Sequence, residues 1–340
     1  MKRQTIAQPS KFFAVACCTL IFASVAAARP QIVTFDPAGS VGTYPWRSNE
    51  DGTIAGFWYD STAQETKGFL RAADGTITSF DHPDSKVTAA YAINSQGITT
   101  GYYTVDAGNH PAFIRQPDGT LDIFHAPGDD SGTFPVDMTN KGVITGSYYD
   151  LYSVPHGFVR KASGKIATFD VDGDLYGTNP TSINSDKVVT GHYTDGNGVP
   201  HGFIRSPDGK IKTFDAPNSA AGTFAQGINN QGVVAGYYAD ANFAFHGFLR
   251  AADGTVTTFD APKAVSTVAY SLNNMGQVVG YYDDANYTAH GFLRTADGKI
   301  KTFDVAGAVG TYPNDINNHG LITGWYTDSS ENYHGFLRSR

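Results

Sequence analysis

The chain has 340 residues, 41% of them hydrophobic, and 32 acidic against 24 basic side chains give it a net charge of −8. That length can bury a large core, and an acidic chain with no run of Lys or Arg suits the phosphate backbone badly, so no nucleic-acid partner is expected. Only Glu50, Glu65 and Glu331 are glutamates and there are 38 glycines; aspartate and glycine favour turns over helix interiors, which points to an all-β fold.

Lys2, Arg3 and Lys11 precede an apolar run from Phe12 to Ala28, with Ala26 and Ala28 spaced for cleavage before Arg29. This pattern predicts a secretory signal over 1–28 and a single domain over 29–340, secreted to an extracellular or periplasmic location. The "AVAC" ending at Cys17 is a poor lipobox, because the apolar run continues well beyond it. Both cysteines, Cys17 and Cys18, fall in the leader, so the remaining chain has no disulfides and a net charge of −11. No later apolar stretch approaches the ~18 residues of a membrane span.

From residue 31 onward one unit recurs. A glycine marks each copy at Gly56, Gly101, Gly146, Gly191, Gly236, Gly280 and Gly324, and a threonine keeps step at Thr43, Thr88, Thr133, Thr178, Thr223, Thr267 and Thr311. Each copy offers four strand signals: a segment ending in "IN", a second such as "VVAGYY", a third such as "HGFLR", and a fourth such as "TVTTFD" after an Asp-Gly turn. Four antiparallel strands per ~45 residues predict a seven-bladed β-propeller. The chain opens on a lone fourth strand, "QIVTFD", and closes on a lone third strand, "HGFLR". Strand 31–36 is therefore expected to complete the last blade and close the ring, a split that a solenoid would have no reason to make.

The tandem "INNxGxxxGYYxD…HGFLR" pattern resembles the extracellular HAF-repeat family, named for a His-Ala-Phe triplet. Here five copies carry His-Gly-Phe, one has Pro111-Ala112-Phe113 and one has Lys67-Gly68-Phe69. The resemblance covers all seven copies and implies a secreted repeat protein; it implies no catalytic residues.

A two-residue Asp253-Gly254 turn would set Phe248 opposite Phe259 and His246 diagonal to Asp260. The 14-residue spacing recurs in His156–Asp170, His201–Asp215, His290–Asp304 and Lys67–Asp81, whereas Pro111 and His125 lose both partners together. His334 lacks a downstream Asp, so its expected partner is Asp36 across the seam. These pairs read as architecture, as do the invariant arginine of the third strand, expected to cover the neighbouring blade, and the aromatic two after the marker glycine, expected to pack between blades.

Function is expected on the longer loops, which join second to third strands and one blade to the next, and in the central funnel. Candidate ligand-binding residues are a ring of carboxylates, Asp60, Asp106, Asp150, Asp195, Asp240, Asp284 and Asp328, and the tryptophans Trp46, Trp58 and Trp325, which fall in the first and last blades. The Asp ring also suits simple loop capping. "DVDGD" supplies Asp170, Asp172 and Asp174 as a calcium candidate, though without the distal Glu of an EF-hand; no other cofactor is expected. His110, His125, His192 and His319 lie outside the third-strand slots, and no metal-ligand spacing joins them. The leading expectation is a monomeric, non-enzymatic binding protein for a carbohydrate or protein. The alternatives are a funnel-site lyase, lactonase or hydrolase, or a structural envelope protein.

Overall fold

The computed structural model describes residues 30–339 apart from 84, 106 and 107, so the leader expected over 1–28 and Asp106 lie outside the described residues. Within them each repeat becomes a four-stranded antiparallel sheet. In the fifth, the strands are Gly222–Ile228, Val234–Ala239, Phe245–Arg250 and Val256–Phe259, paired in that order. The 28 strands make seven such units, and there is no helix among the described residues. The last unit is Gly310–Ile316, Ile322–Thr327, Tyr333–Arg338 and, from the other end of the chain, Ile32–Phe35, which pairs antiparallel with the third strand from Ile32–Arg338 to Phe35–Gly335. The first strand of each unit packs against that of the next, and the strand Gly310–Ile316 packs against Ser40–Ser48 of the first. Single parallel bridges, Gly42–Tyr333 and Thr66–Val87, stitch the last, first and second blades into one sheet.

The recurrent residues explain why the repeat packs. The marker glycine sits where the first strand's backbone comes closest: a Cβ on Gly236 would lie 2.1 Å from the Phe224 carbonyl oxygen. The marker threonines are fully buried, and Thr223 Oγ1 is satisfied by the Ala216 N–H of the loop arriving from the previous blade, at 3.0 Å. The third-strand phenylalanines, Phe69 through Phe336, are all fully buried. Each blade grips its predecessor through one outer-strand phenylalanine. Phe214 meets Phe248 edge-on at 6.0 Å and the Arg250 guanidinium face-on at 5.0 Å. The same pair of contacts crosses the seam, Phe35 against Phe69 at 6.1 Å and Arg71 at 4.8 Å. The invariant arginine thus covers the neighbouring blade as expected, with a cation–π contact added.

The hairpin register differs from the expectation. Gly247, not Phe248, faces Phe259, and Phe248 faces Thr258. The turn hydrogen bonds, Ala251 N–H to Thr255 O and Gly254 N–H to Ala251 O, and the positive φ of 99° at Gly254 make a three-residue turn with a glycine bulge, which moves the pairing by one. The Phe259 ring consequently lies over Gly247, where a Cβ would come within 2.6 Å of it. That contact is why the middle of the His-Gly-Phe triplet must be small.

The "INN" segments do more than turn the chain. The first asparagine caps its own turn, Asn229 Oδ1 accepting from Gln231 and Val233, while its amide donates to the carbonyl of the equivalent asparagine one blade on. These links run Asn184 to Asn229, to Asn273, to Asn317, to Asn49 and to Asn94. Thr139 replaces asparagine in the third blade, and there the buried Asn94 Nδ2 is left without a partner.

Candidate ligand-binding site

Along every first strand the register slips by one residue, and the extra residue is Trp46, Tyr91, Val136, Thr181, Gln226, Tyr270 or Asn314. A β-bulge re-aims its side chain, and all seven of these line one central cavity of about 680 Å³. The second-strand residue after the marker glycine adds Phe57, Tyr281 and Trp325, and Tyr44, Tyr312, Pro180 and Arg47 complete the wall. The first strands enter from the long-loop side, so this cup belongs to that side. Turn residues of the "INN" segments line a polar pocket of about 200 Å³ at the other end.

The cup is lopsided. Its aromatic arc spans the sixth, seventh, first and second blades, with Tyr312 stacked on Trp325 at 3.9 Å, Tyr44 on Phe57 at 5.1 Å and Trp46 edge-on to Tyr91 at 4.9 Å. The third to fifth blades contribute Val136, Pro180, Thr181 and Gln226. Burial pushes the Tyr44 phenol up to about 12 and raises Tyr91 and Tyr281 as well, so these hydroxyls stay protonated at neutral pH.

Arg47 stands between the two cavities and lines both. Its Nη1 donates to Asp315 Oδ1 at 3.1 Å, and its Nη2 lies 3.7 Å from Asp137 Oδ2. Asp315 also accepts from the Ser48 N–H and hydroxyl and from Ser271 Oγ; Asp137 accepts from Ser182 Oγ and the Ile183 N–H. Burial opposes charge on Arg47, but the two carboxylates outweigh it and raise its pKa. This cross-channel network was missed from sequence, although a signal was present: at that column the blades read Arg47, Ala92, Asp137, Ser182, Gly227, Ser271 and Asp315.

Of the expected site residues, Trp46 and Trp325 meet in the cup. Trp58 does not: it is 5% exposed, packs with Ile54 and Phe69, and donates from Nε1 to Ser79 Oγ. Strand alternation turns it away from its neighbour Phe57. Asp60, Asp150, Asp195, Asp240, Asp284 and Asp328 each cap their own loop, as Asp150 Oδ1 does for the Tyr152 and Val154 N–H groups. In five of these blades the other oxygen faces the third-strand histidine Nε2 at 3.3–3.8 Å.

The histidine Nδ1 meets the downstream aspartate as the 14-residue spacing predicted, at 2.8–3.0 Å in His156–Asp170, His201–Asp215, His246–Asp260 and His290–Asp304. His334 Nδ1 lies 2.8 Å from Asp36 Oδ2, closing a contact across 298 residues. Each of these histidines also stacks on the aromatic two after the marker glycine, as Tyr326 on His334 at 5.0 Å, so that aromatic packs within its blade as well as between blades. Lys67 turns to Asp60 and Glu65, at 3.3 and 3.8 Å, and not to Asp81. In "DVDGD", Asp170 is engaged by His156 and Asp174 accepts from Thr178 Oγ1. Among the described residues no three His, Cys, Asp or Glu side chains are grouped to hold a metal, and no helix is long and apolar enough to cross a membrane.

Fold and cup together define a β-propeller with a cavity on its axis. Solved structures similar to it include streptogramin B lyase (18% identity, TM-score 0.62, 91% of this chain and 97% of that one). A catalytically inactive variant of virginiamycin B lyase from Staphylococcus aureus with quinupristin matches at 16% identity and a TM-score of 0.61, covering 91% and 99%. The β-propeller domain of the trilobed protease from Pyrococcus furiosus, described as having an open velcro topology, matches at 9% identity and 0.63, covering 87% and 94%. At these identities the likeness is one of fold alone. No family model matches the chain, and no curated protein sequence matches it.

Proposed function

We propose that the protein is a secreted, non-enzymatic seven-bladed propeller of the HAF-repeat type, its ring sealed by strand 31–36, that binds carbohydrate in the central cup. The carrying observation is that the repeat breaks down at the bulge position: six different residue types, Trp, Tyr, Val, Thr, Gln and Asn, occupy one column whose side chains all face one cavity. A scaffold that needed only stability would have no use for that diversity on a shared wall. Broad aromatic faces on one side, with Asn314 among them, and Gln226 and the Thr181 oxygen, whose proton goes to the Ala225 carbonyl at 2.9 Å, on the other match what a sugar ring offers, C–H groups for stacking and hydroxyls for hydrogen bonds. The ionisable groups of the wall, tyrosines and a carboxylate-paired Arg47, hold their protons at neutral pH, which suits binding better than proton transfer.

A glycan array with the mature chain tests this reading. It expects hits that are lost in Trp46→Ala and Trp325→Ala but kept in Asp150→Asn; a blank array, or hits indifferent to both tryptophans, refutes it.

A further inference from the structure

Next to the cup lies a second cavity of about 400 Å³ between the second, third and fourth blades, where the repeat breaks at one column. The residue after the marker glycine is Phe, Tyr or Trp in five blades: Phe57, Tyr102, Tyr237, Tyr281 and Trp325. The exceptions are adjacent, Ser147 and His192. In the first, fifth and seventh blades that ring stacks on its partner in the first strand, as Tyr237 does on Phe224 at 4.9 Å. Opposite Ser147, Phe134 has no such ring to stack on and leans edge-on against Tyr102 and Tyr149, at 4.8 and 5.2 Å. The vacated space is the side cavity. Tyr91, Val136, Pro180 and Thr181 line both it and the cup, so the two share a sill.

His192 gives this cavity a polar handle. Its Nδ1 is sealed from solvent with no hydrogen-bond partner, and burial pulls the imidazole pKa down to about 4, so the ring is neutral through the physiological range. A buried N–H without an acceptor is rarer and costlier than a bare acceptor nitrogen. The proton therefore belongs on Nε2, on a ring that lines the cavity.

We infer that the side cavity is a second sugar subsite, in which a hydroxyl or ring oxygen accepts a hydrogen bond from His192 Nε2–H beside Ser147, so that the protein takes an oligosaccharide lying from the cup over the sill and not a single sugar. This rests on the reading of the cup as a carbohydrate site.

The test is calorimetry with glucose, galactose and N-acetylglucosamine and their β1,4-linked oligomers of two to four units. The expected result in the wild type is at least a tenfold gain in affinity on passing from one unit to three. Ser147→Tyr, which restores the ring found in other blades and so keeps the fold, should abolish that gain and leave the monosaccharide affinity within twofold. His192→Phe, which keeps a ring without a donor, should cut trisaccharide affinity about 3- to 10-fold, the worth of one hydrogen bond. Two-dimensional nitrogen–proton spectra should show His192 as the neutral Nε2–H form between pH 5 and 8. Binding that does not depend on length, or a length gain that survives Ser147→Tyr, overturns the subsite while the cup stands. Failure of every monomer and oligomer to bind overturns the cup, and the subsite with it.

Discussion

The body of a blade and the wall of the channel obey opposite rules. In the body, the marker threonine, the marker glycine, the third-strand phenylalanine and the arginine on the preceding blade's phenylalanine occur in all seven copies, each fixed by a contact the next blade also makes. At the bulge, three residues beyond the marker threonine on the first strand, no such uniformity holds: Trp46, Val136, Gln226 and Asn314 occupy equivalent positions. A residue whose neighbours recur must itself recur. A residue that opens onto the cavity is under less of that demand, even where, like Thr181 and Asn314, it also bonds the next blade, and the diversity there is what the proposed binding site rests on.

That contrast can be broken in graded ways. The largest effect is expected in the body. Phe248→Ala empties a fully buried site and should cost about 3–5 kcal/mol, read by denaturant unfolding. Arg47→Ala comes next, since it leaves Asp137 and Asp315 facing one another across the channel without their cation; a loss of about 3 kcal/mol is expected, partly recovered by adding Asp137→Asn. A wild-type melting curve for Arg47→Ala would show that the network does no holding. Third are the tryptophans. Trp46→Ala should weaken sugar binding at least tenfold while changing stability by about 1 kcal/mol or less, whereas Trp58→Ala should do the reverse, costing about 3–5 kcal/mol with affinity intact in the folded fraction.

The smallest effect is at the seam. Burial lowers the His334 pKa, but hydrogen bonds to Asp36 and Asp328 outweigh it and the net shift is upward. A raised folded pKa means that the charged form stabilises the fold: the gain is full below the unfolded value of ~6.5 and is lost as pH rises through the folded one. His334→Gln should thus lower stability by about 0.5–1 kcal/mol at pH 5.5 and by less at pH 8.5, the pair being partly solvent-screened. An equal loss at both pH values would mean that charge plays no part there.

Much of the body was legible in the sequence, because periodicity reports contacts that recur. The 45-residue step gave the strand count, and the 14-residue spacing found the Asp partner of each third-strand histidine Nδ1, including His334–Asp36 at 2.8 Å; it did not find the second contact of the same rings, from Nε2 to the loop-capping aspartates, nor His125–Asp129. Lys67 escaped that rule because its longer side chain reaches Asp60 and Glu65 on its own loop. The hairpin pairing was off by one because Asp-Gly serves two-residue turns and three-residue bulged turns alike, and only the backbone tells them apart. The cup was half legible. Trp46 and Trp325 stood out as rare residues in adjoining blades, but Trp58 was grouped with them because nearness in sequence ignores which side of a strand a residue faces. The ring of bulges was not legible at all: an extra residue in a strand leaves no local signature, and only the column of unlike residues, compared across copies, hints at it.

The central claim is that ligand meets the protein at the bulge ring and not at the carboxylates of the loop rim. Tryptophan fluorescence of the Trp58→Phe variant tests it most directly, since only Trp46 and Trp325 then report. Titration with a sugar that binds on the array should change their emission saturably, at the affinity measured by calorimetry. Binding by calorimetry with no change in either tryptophan, together with its loss in Asp150→Asn or Asp240→Asn, would place the ligand on the rim and contradict the account.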